Sequence, residues 1–247
     1  GVAAAWNGSA WSQPFEVSVA FQNPVARRTT TLSNLSMAVS GAVMGVAGSD
    51  DKGDVWLTFN AVALDQLAPA LQPVWSAPQT LSDGAGDAEA PAVAAGSDGR
   101  AYAMWSQQLA TAGGEALYVA AWDGQRWGVA MPVFSTTTNI VLLEPDTQLR
   151  AAQPALAVDA RGRLHAVWSG GVSGRILYSW VFGREAASTA WAYPEELPAP
   201  SNVGAWPDIV ADPRGDVLHV VYNVPYNVKR GVYYVRSQAH SELAVAD

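Results

Sequence analysis

One short pattern recurs three times along this 247-residue chain and constrains its fold more than any other feature. In each copy a proline and a run of small or aliphatic residues lead into a glycine turn, after which a second run rich in aliphatic and aromatic residues follows. Two such runs around a tight glycine turn are typical of a β-hairpin. The turn glycines are spaced 63 and 53 residues apart, at Gly99, Gly162 and Gly215. A hairpin that recurs at this period predicts a repeat architecture.

A second hairpin follows each copy. Its first strand, C, is predicted at residues 116–122, 175–180 and 231–236, and its outer strand, D, is marked by a tryptophan with a nearby proline. Because proline lacks a backbone N–H, it belongs on an edge strand, where the outermost strand of a blade lies. The repeated unit therefore predicts four antiparallel strands, A to D, which form the blade of a β-propeller. The tryptophan–proline pairs are Trp11 with Pro14, Trp75 with Pro78, Trp127 with Pro132, and Trp191 with Pro194.

The composition favours a single all-β domain over residues 1–247. Apolar residues make up 49% of the chain and charged residues only 15%, and there are 11 tryptophans, which suits many short buried strands. No stretch has the composition of a linker. We predict a β-propeller of four-stranded antiparallel blades with four blades visible, at about residues 18–82, 83–134, 150–199 and 204–238; the first of these is a degenerate copy.

The two ends of the repeat are complementary. Residues 2–17 supply C and D strands, whereas residues 206–237 supply A, B and C strands. We therefore expect residues 2–17 to act as closing strands, with residues 11–17 pairing beside residues 231–236, because closure removes both exposed edges. The C-like strand at residues 2–6 would then be redundant. A five- or six-bladed ring, of which this chain holds a part, remains the alternative.

Charge and composition exclude several classes of partner. The net charge of −8 argues against nucleic acid, since phosphate binding needs a surplus of lysine and arginine on one face. No apolar run approaches the roughly 18 residues of a membrane span. The chain has no cysteine, so disulfides, thiol catalysis and thiolate metal sites are excluded. We expect no cofactor.

The blades resemble a known propeller group. Residues 154–168 and 207–222 best carry the pattern Pro-x-(aliphatic)-Ala-x-Asp-x-x-Gly-x-(aliphatic)-His-x-x-Trp, which is similar to the bacterial neuraminidase repeats of sialidase-like propellers. The turns at residues 6–11 and 122–127 resemble Asp-boxes, whose full form is Ser-x-Asp-x-Gly-x-x-Trp, but both lack the serine and the full spacing. The resemblance implies an extracellular, cell-surface or periplasmic protein.

Sialidases of this group use a tyrosine nucleophile assisted by a glutamate, an aspartate as acid/base, and three arginines that bind the substrate carboxylate. This chain lacks the Arg-Ile-Pro signature of the family. Arg175, Arg236, Tyr178 and Tyr233 lie on equivalent C strands, and we interpret them as packing and surface pairs rather than catalytic residues.

These observations favour a non-catalytic binding or assembly module with a glycan or protein ligand, within a larger polypeptide or assembly. The first alternative is an exo-glycosidase of the sialidase type. The second is a structural subunit of a larger surface complex.

The repeated histidines are interpreted as structural. His165 and His219 occupy the same place in successive B strands, which could indicate a metal pair. However, Tyr102 fills that place in another copy, and equivalent positions of adjacent blades are too far apart to share one ion. We therefore predict no metal site. Asp159 and Asp212 begin tight turns and are expected to cap backbone N–H groups there.

The position that we take to lie just before the strand-A proline varies where the rest of the unit repeats. It carries Glu89, Gln153 and Trp206 in the three clear copies, and Asp208 follows in the last. In a propeller the innermost strand lines the central channel, and variable residues on a constant scaffold are how a fold carries a site. We predict a ligand site formed by Glu89, Gln153, Trp206 and Asp208 at the mouth of the channel.

Overall fold

The computed structural model describes residues 2–4, 11, 13–16, 20–23, 28–40, 43–59, 76–84, 87–109, 115–135, 151–170, 175–199, 204–212, 217–225 and 229–238. Strands and turns account for these residues, with one three-residue 3₁₀ turn at Gly183–Glu185. The predicted all-β fold is confirmed. No helix in these ranges is long and apolar enough to cross a membrane.

Two small hairpins come first. Strand β1 (Val2–Ala3) pairs with β2 (Phe15–Glu16), and β3 (Ala20–Asn23) pairs with β4 (Arg28–Thr31). The sequence analysis expected residues 11–17 to close the ring beside residues 231–236, and in the described strands this pairing is not formed. The pairing of β1 with β2 uses one edge of β2, and residues 12 and 17–19 lie outside the described residues, so closure of the ring stays a prediction.

Four propeller blades follow, and in each blade the strands lie side by side in chain order, antiparallel, as predicted. The first two blades are β5 (Ser33–Ser40), β6 (Val43–Ser49), β7 (Val55–Phe59) and β8 (Gln79–Thr80), then β9 (Ala88–Ala95), β10 (Ala101–Gln108), β11 (Glu115–Trp122) and β12 (Met131–Ser135). The last two are β13 (Ala151–Val158), β14 (Arg163–Gly170), β15 (Arg175–Phe182) and β16 (Glu195–Glu196), then the three strands β17 (Ala205–Ala211), β18 (Val217–Val224) and β19 (Gly231–Gln238).

The inner strands β5, β9, β13 and β17 pack against one another in that order, so the blades are successive sectors around one axis. The hydrophobic core is divided into three layers, one between each pair of neighbouring blades. Aromatic side chains fill them: Trp105 is fully buried between the first two blades, and Phe134 stacks on Trp168 at 4.5 Å between the second and third. Tyr178 and Tyr222 lie in the third layer.

The outer strands carry the prolines, as predicted. Pro132 lies in β12, where the register against β11 shifts by one residue, and Pro194 directly precedes β16. Each position is at the edge of its sheet, where a missing N–H leaves no ladder bond unmade.

Candidate functional site

Every inner strand begins with the same distortion. The backbone φ is positive at Asn34 (49°), Ala90 (48°), Gln153 (55°) and Trp206 (48°), and the ladder to the neighbouring strand shifts register beside each of them. Such bulges redirect side chains and are frequent next to active sites. A residue other than glycine is strained in this region, and more so before proline, which follows three of the four. The repeated strain marks this end of the blades, called here the loop face, as specialised.

A cavity of about 510 Å³ opens on the loop face between the first and second blades. The first blade contributes the start of β5 and the turn between β6 and β7, and the second contributes the start of β9 and the adjoining ends of β10 and β11. This volume lies in the usual range for a small-molecule site. The lining residues are Ser33, Asn34, Ser49, Asp50, Asp51, Lys52, Gly53, Asp87, Ala88, Glu89, Ser106, Gln108 and Glu115.

The cavity is strongly acidic. Its lining holds five carboxylates and a single cationic side chain, Lys52. A cleft lined by one sign of charge repels ligands of the same sign. Hydroxyl groups, in contrast, can donate hydrogen bonds to carboxylate oxygens. The lining therefore suits a hydroxyl-rich ligand without negative charge better than an anion.

Asp50 shapes the wall of this cavity. One of its carboxylate oxygens accepts the backbone N–H groups of Lys52 (2.8 Å) and Asp54 (3.0 Å), and the other accepts Nε1–H of Trp56 (3.0 Å). Gly53 has a φ of 77°, which closes the turn. Asp50 is thus buried and engaged in holding the turn, whereas its neighbour Asp51 is exposed.

The sequence around this turn contains a signal that the sequence analysis missed. Residues Ser49–Trp56 match the full spacing Ser-x-Asp-x-Gly-x-x-Trp, with Asp51 at the aspartate position. The pattern was expected in the turns between strands C and D, but the match lies between β6 and β7. In this turn the capping carboxylate belongs to Asp50, one residue earlier, and Asp51 lines the cavity.

Two of the carboxylates lie on one face of the second blade. Glu89 is opposite Ser106, and Glu115 is opposite Gln108. Because Ser106 and Gln108 are two residues apart in β10, their side chains point to the same side of the sheet, and cross-strand partners share that side. Glu89 and Glu115 therefore share the face that carries Tyr102 and Met104, which packs toward the third blade, and both reach the cavity lining at the ends of their strands. Two strand spacings and two residues along the strands separate their backbones, about 12 Å in all.

The predicted ligand residues fall into two groups. Glu89 is exposed in the cavity, and the residue structurally equivalent to Gln153 and Trp206 is Ala90, not Glu89. Gln153 and Trp206 are in contact: the side-chain oxygen of Gln153 accepts the backbone N–H of Trp206 at 2.9 Å. Asp208 is exposed two residues further along β17.

The tyrosines and arginines considered for sialidase chemistry do not line this cavity. Tyr178 is buried between the third and fourth blades, and the hydroxyl of Tyr233 donates to a backbone carbonyl. Arg175 forms a surface ion pair with Glu196 at 3.4 Å, and Arg236 lies opposite a histidine in the fourth blade.

A second polar cluster is buried in the third blade, away from the cavity. Asp159 caps its turn as Asp50 does and also accepts hydrogen bonds from Nε of Arg163 (2.6 Å) and Nε2 of His165 (3.2 Å). Burial raises the pKa of Tyr178, so its hydroxyl stays protonated and donates to Nδ1 of His165 at 2.9 Å. Tyr178 and Asp159 thus engage both ring nitrogens of His165, which is a structural residue. The part of the chain that is described contains no group of three or more His, Asp or Glu residues placed to hold a metal ion.

The sequence matches no protein-family model and no curated protein. Among solved structures, the Hadza microbial sialidase Hz136 aligns over 93% of this chain and 47% of its own, at 10% identity and a TM-score of 0.61. An exo-β-1,3-galactanase from Clostridium thermocellum aligns over 90% of this chain and 49% of its own, at 12% identity and a TM-score of 0.59. An endo-arabinase from Bacteroides thetaiotaomicron aligns over 84% of this chain and 75% of its own, at 12% identity and a TM-score of 0.55.

The chain therefore spans about half the length of the first two of these proteins. At such low identities the likeness shows a shared β-propeller fold. These three proteins are named as glycan-degrading enzymes: a sialidase, an exo-β-1,3-galactanase and an endo-arabinase. This finding overturns the prediction of a non-catalytic binding or assembly module and favours the alternative, an exo-glycosidase.

Proposed function

We propose that this chain is the catalytic propeller of an exo-acting glycoside hydrolase that cleaves a neutral glycan in the cavity between the first two blades. The observation that carries the proposal is the placement of Glu89 and Glu115 on one face of the second blade, both lining that cavity. Paired carboxylates flanking the scissile bond are the usual catalytic groups of glycoside hydrolases.

The reaction requires one of the two carboxyl groups to be protonated and the other to be ionised. The carboxylic acid protonates the glycosidic oxygen as its bond to the anomeric carbon breaks, while the carboxylate takes a proton from the attacking water. Two intervening strand spacings leave room for that water between Glu89 and Glu115.

The charge of the cavity supports a neutral substrate over a sialoside. A sialic acid carries a carboxylate, for which arginine offers a bidentate partner. The described lining contains no arginine and balances five carboxylates with Lys52 alone. The Asp-box pattern at Ser49–Trp56 supports kinship with sialidase-like propellers, and the acidic cavity supports a substrate different from theirs.

Turnover should therefore be selective. The test panel, called the neutral panel, consists of aryl glycosides and trisaccharides of galactose and of arabinose, and an aryl sialoside is assayed beside it. We expect release of the terminal sugar from at least one neutral compound and none from the sialoside, because only the sialoside is repelled by the cavity.

A double variant, Glu89→Gln with Glu115→Gln, prepared in the same way, serves as the control for contaminating activity. Absence of turnover on every neutral compound, or turnover of the sialoside that the double variant loses, would refute the proposal.

A further inference from the structure

We infer that Trp206 is a sugar-binding platform on the loop face, held in place by Gln153, for a part of the glycan beyond the sugar that is cleaved. The inference rests on the proposed function, since it extends the same substrate across the loop face. It starts from the exposure of Trp206, whose residue surface is 59% accessible. The tryptophans at positions 56, 105, 168 and 191 are all buried, so this exposure is not typical of tryptophan in the blades.

The backbone of Trp206 is strained as well as exposed. Its φ of 48° lies in the left-handed region, and Pro207 follows it directly. A bulky residue avoids this region, and the position before proline disfavours helical backbone further. A strained backbone conformation persists only where the surrounding structure fixes it, and such conformations cluster at functional sites. The indole is therefore presented to solvent by the fold rather than left there by a loose loop.

Gln153 fixes the backbone of Trp206 in this conformation. Its side-chain oxygen accepts the backbone N–H of Trp206 at 2.9 Å, across the boundary between the third and fourth blades. Ser169 donates its hydroxyl to the same oxygen at 3.3 Å and to the carbonyl of Ala152 at 3.0 Å. The orientation of Trp206 is thus fixed from the neighbouring blade before any ligand arrives, which reduces the entropy lost on binding.

The position of Trp206 connects it with the cavity. Trp206 is the equivalent, in the fourth blade, of Asn34 in the first, and Asn34 lines the cavity. All four equivalent residues lie where inner strands begin, around the axis on one face. A glycan whose terminal sugar enters the cavity can extend across this face toward Trp206. The flat indole offers a surface for the apolar C–H face of a neutral sugar.

Isothermal titration calorimetry with a neutral trisaccharide tests this platform separately from turnover. The parent is the Glu89→Gln, Glu115→Gln double variant, which binds substrate without consuming it. Adding Trp206→Ala should weaken trisaccharide binding roughly 10-fold or more, the scale of a lost aromatic contact. Trp206→Phe should retain most of the affinity, because it keeps an aromatic face. Tyr193→Ala, which truncates another exposed aromatic outside the loop-face bulges, should leave binding unchanged.

In the wild-type background, Trp206→Ala should raise KM for the trisaccharide by about the same factor as it weakens trisaccharide binding in calorimetry. Equal binding by parent and Trp206→Ala overturns the platform alone, and so does an equal loss of binding in Tyr193→Ala. No binding of any neutral trisaccharide by the parent overturns both the platform and the proposed function. Trp206-dependent binding without turnover in the wild type supports the platform and overturns the proposed catalysis.

Discussion

Replacing Asp159 with alanine should lower the free energy of unfolding by about 3–5 kcal/mol, because it removes the acceptor of a buried charge network. Arg163 and His165 both donate to this carboxylate, at 2.6 and 3.2 Å, and all three side chains are buried. The variant leaves a buried guanidinium without its carboxylate. Urea or guanidinium denaturation at neutral pH measures the loss.

Asp98→Ala is the matched control. Asp98 lies in the equivalent turn of the second blade, and its side chain is 52% exposed beside Arg100, with 3.6 Å between Nε and the carboxylate. An exposed pair of this kind contributes up to about 1 kcal/mol. If Asp159→Ala costs no more than Asp98→Ala, the buried network does not stabilise the third blade.

The effect of Asp159→Ala should depend on pH in a defined direction. Burial opposes ionisation of Asp159, but hydrogen bonds from His165 and Arg163 outweigh it and hold its pKa well below the usual range. A carboxyl group whose pKa is lower in the folded state contributes stability above its unfolded pKa, about 3.9, and loses it as the pH falls. The difference between wild type and variant should therefore narrow below about pH 4. A difference that widens in acid would contradict this assignment.

Glu89→Gln and Glu115→Gln should each lower kcat on the neutral panel by about 10²- to 10⁴-fold, because each removes one partner of the proposed proton transfers. The leaving group distinguishes their roles. An aryl glycoside with a very acidic phenol needs no protonation, so the variant that lacks the general acid should recover activity on it, whereas the variant that lacks the base should not.

Asp51→Asn is the control for this pair. It also removes a carboxylate from the cavity lining, but from the turn of the first blade rather than from the shared face of Glu89 and Glu115. We expect Asp51→Asn to lower kcat by less than about 10-fold, since it changes the electrostatic field in the cavity and leaves both proton-transfer groups in place. Losses of the same size in all three variants would show that the cavity needs its charge and that Glu89 and Glu115 have no special role.

The order of the strands could be predicted because it depends on signals between residues that are close in sequence. The signals are the turn glycines Gly99 and Gly162, the alternation of strand residues, and edge prolines such as Pro132. Each signal affects only a few neighbouring residues, and together they set the order of the strands in a blade. Closure of the ring does not follow from such local signals, because it requires residues 11–17 to meet a strand more than 200 residues away, and it stays a prediction.

The site was only partly predictable for a related reason. The repeat identified Gln153 and Trp206 as variable positions, but sequence does not reveal that the backbone there is left-handed. Aligning the strand-A prolines shows that Ala90, which directly precedes Pro91, is their equivalent, so the choice of Glu89 was an error of alignment. The acidic cavity joins Asp51 and Glu89 from different blades, and such a pairing arises only from tertiary packing. Counting arginines against a sialidase signature could rule out one chemistry, but it could not find another pair of carboxylates.

The most direct test of the central claim is a crystal structure of the Glu89→Gln variant with a neutral trisaccharide from the panel. The account predicts that the terminal sugar lies in the cavity between the first and second blades, with its anomeric carbon between the side chains of residues 89 and 115. A sugar bound at the rim of the blades, or between outer strands with the cavity empty, would contradict it.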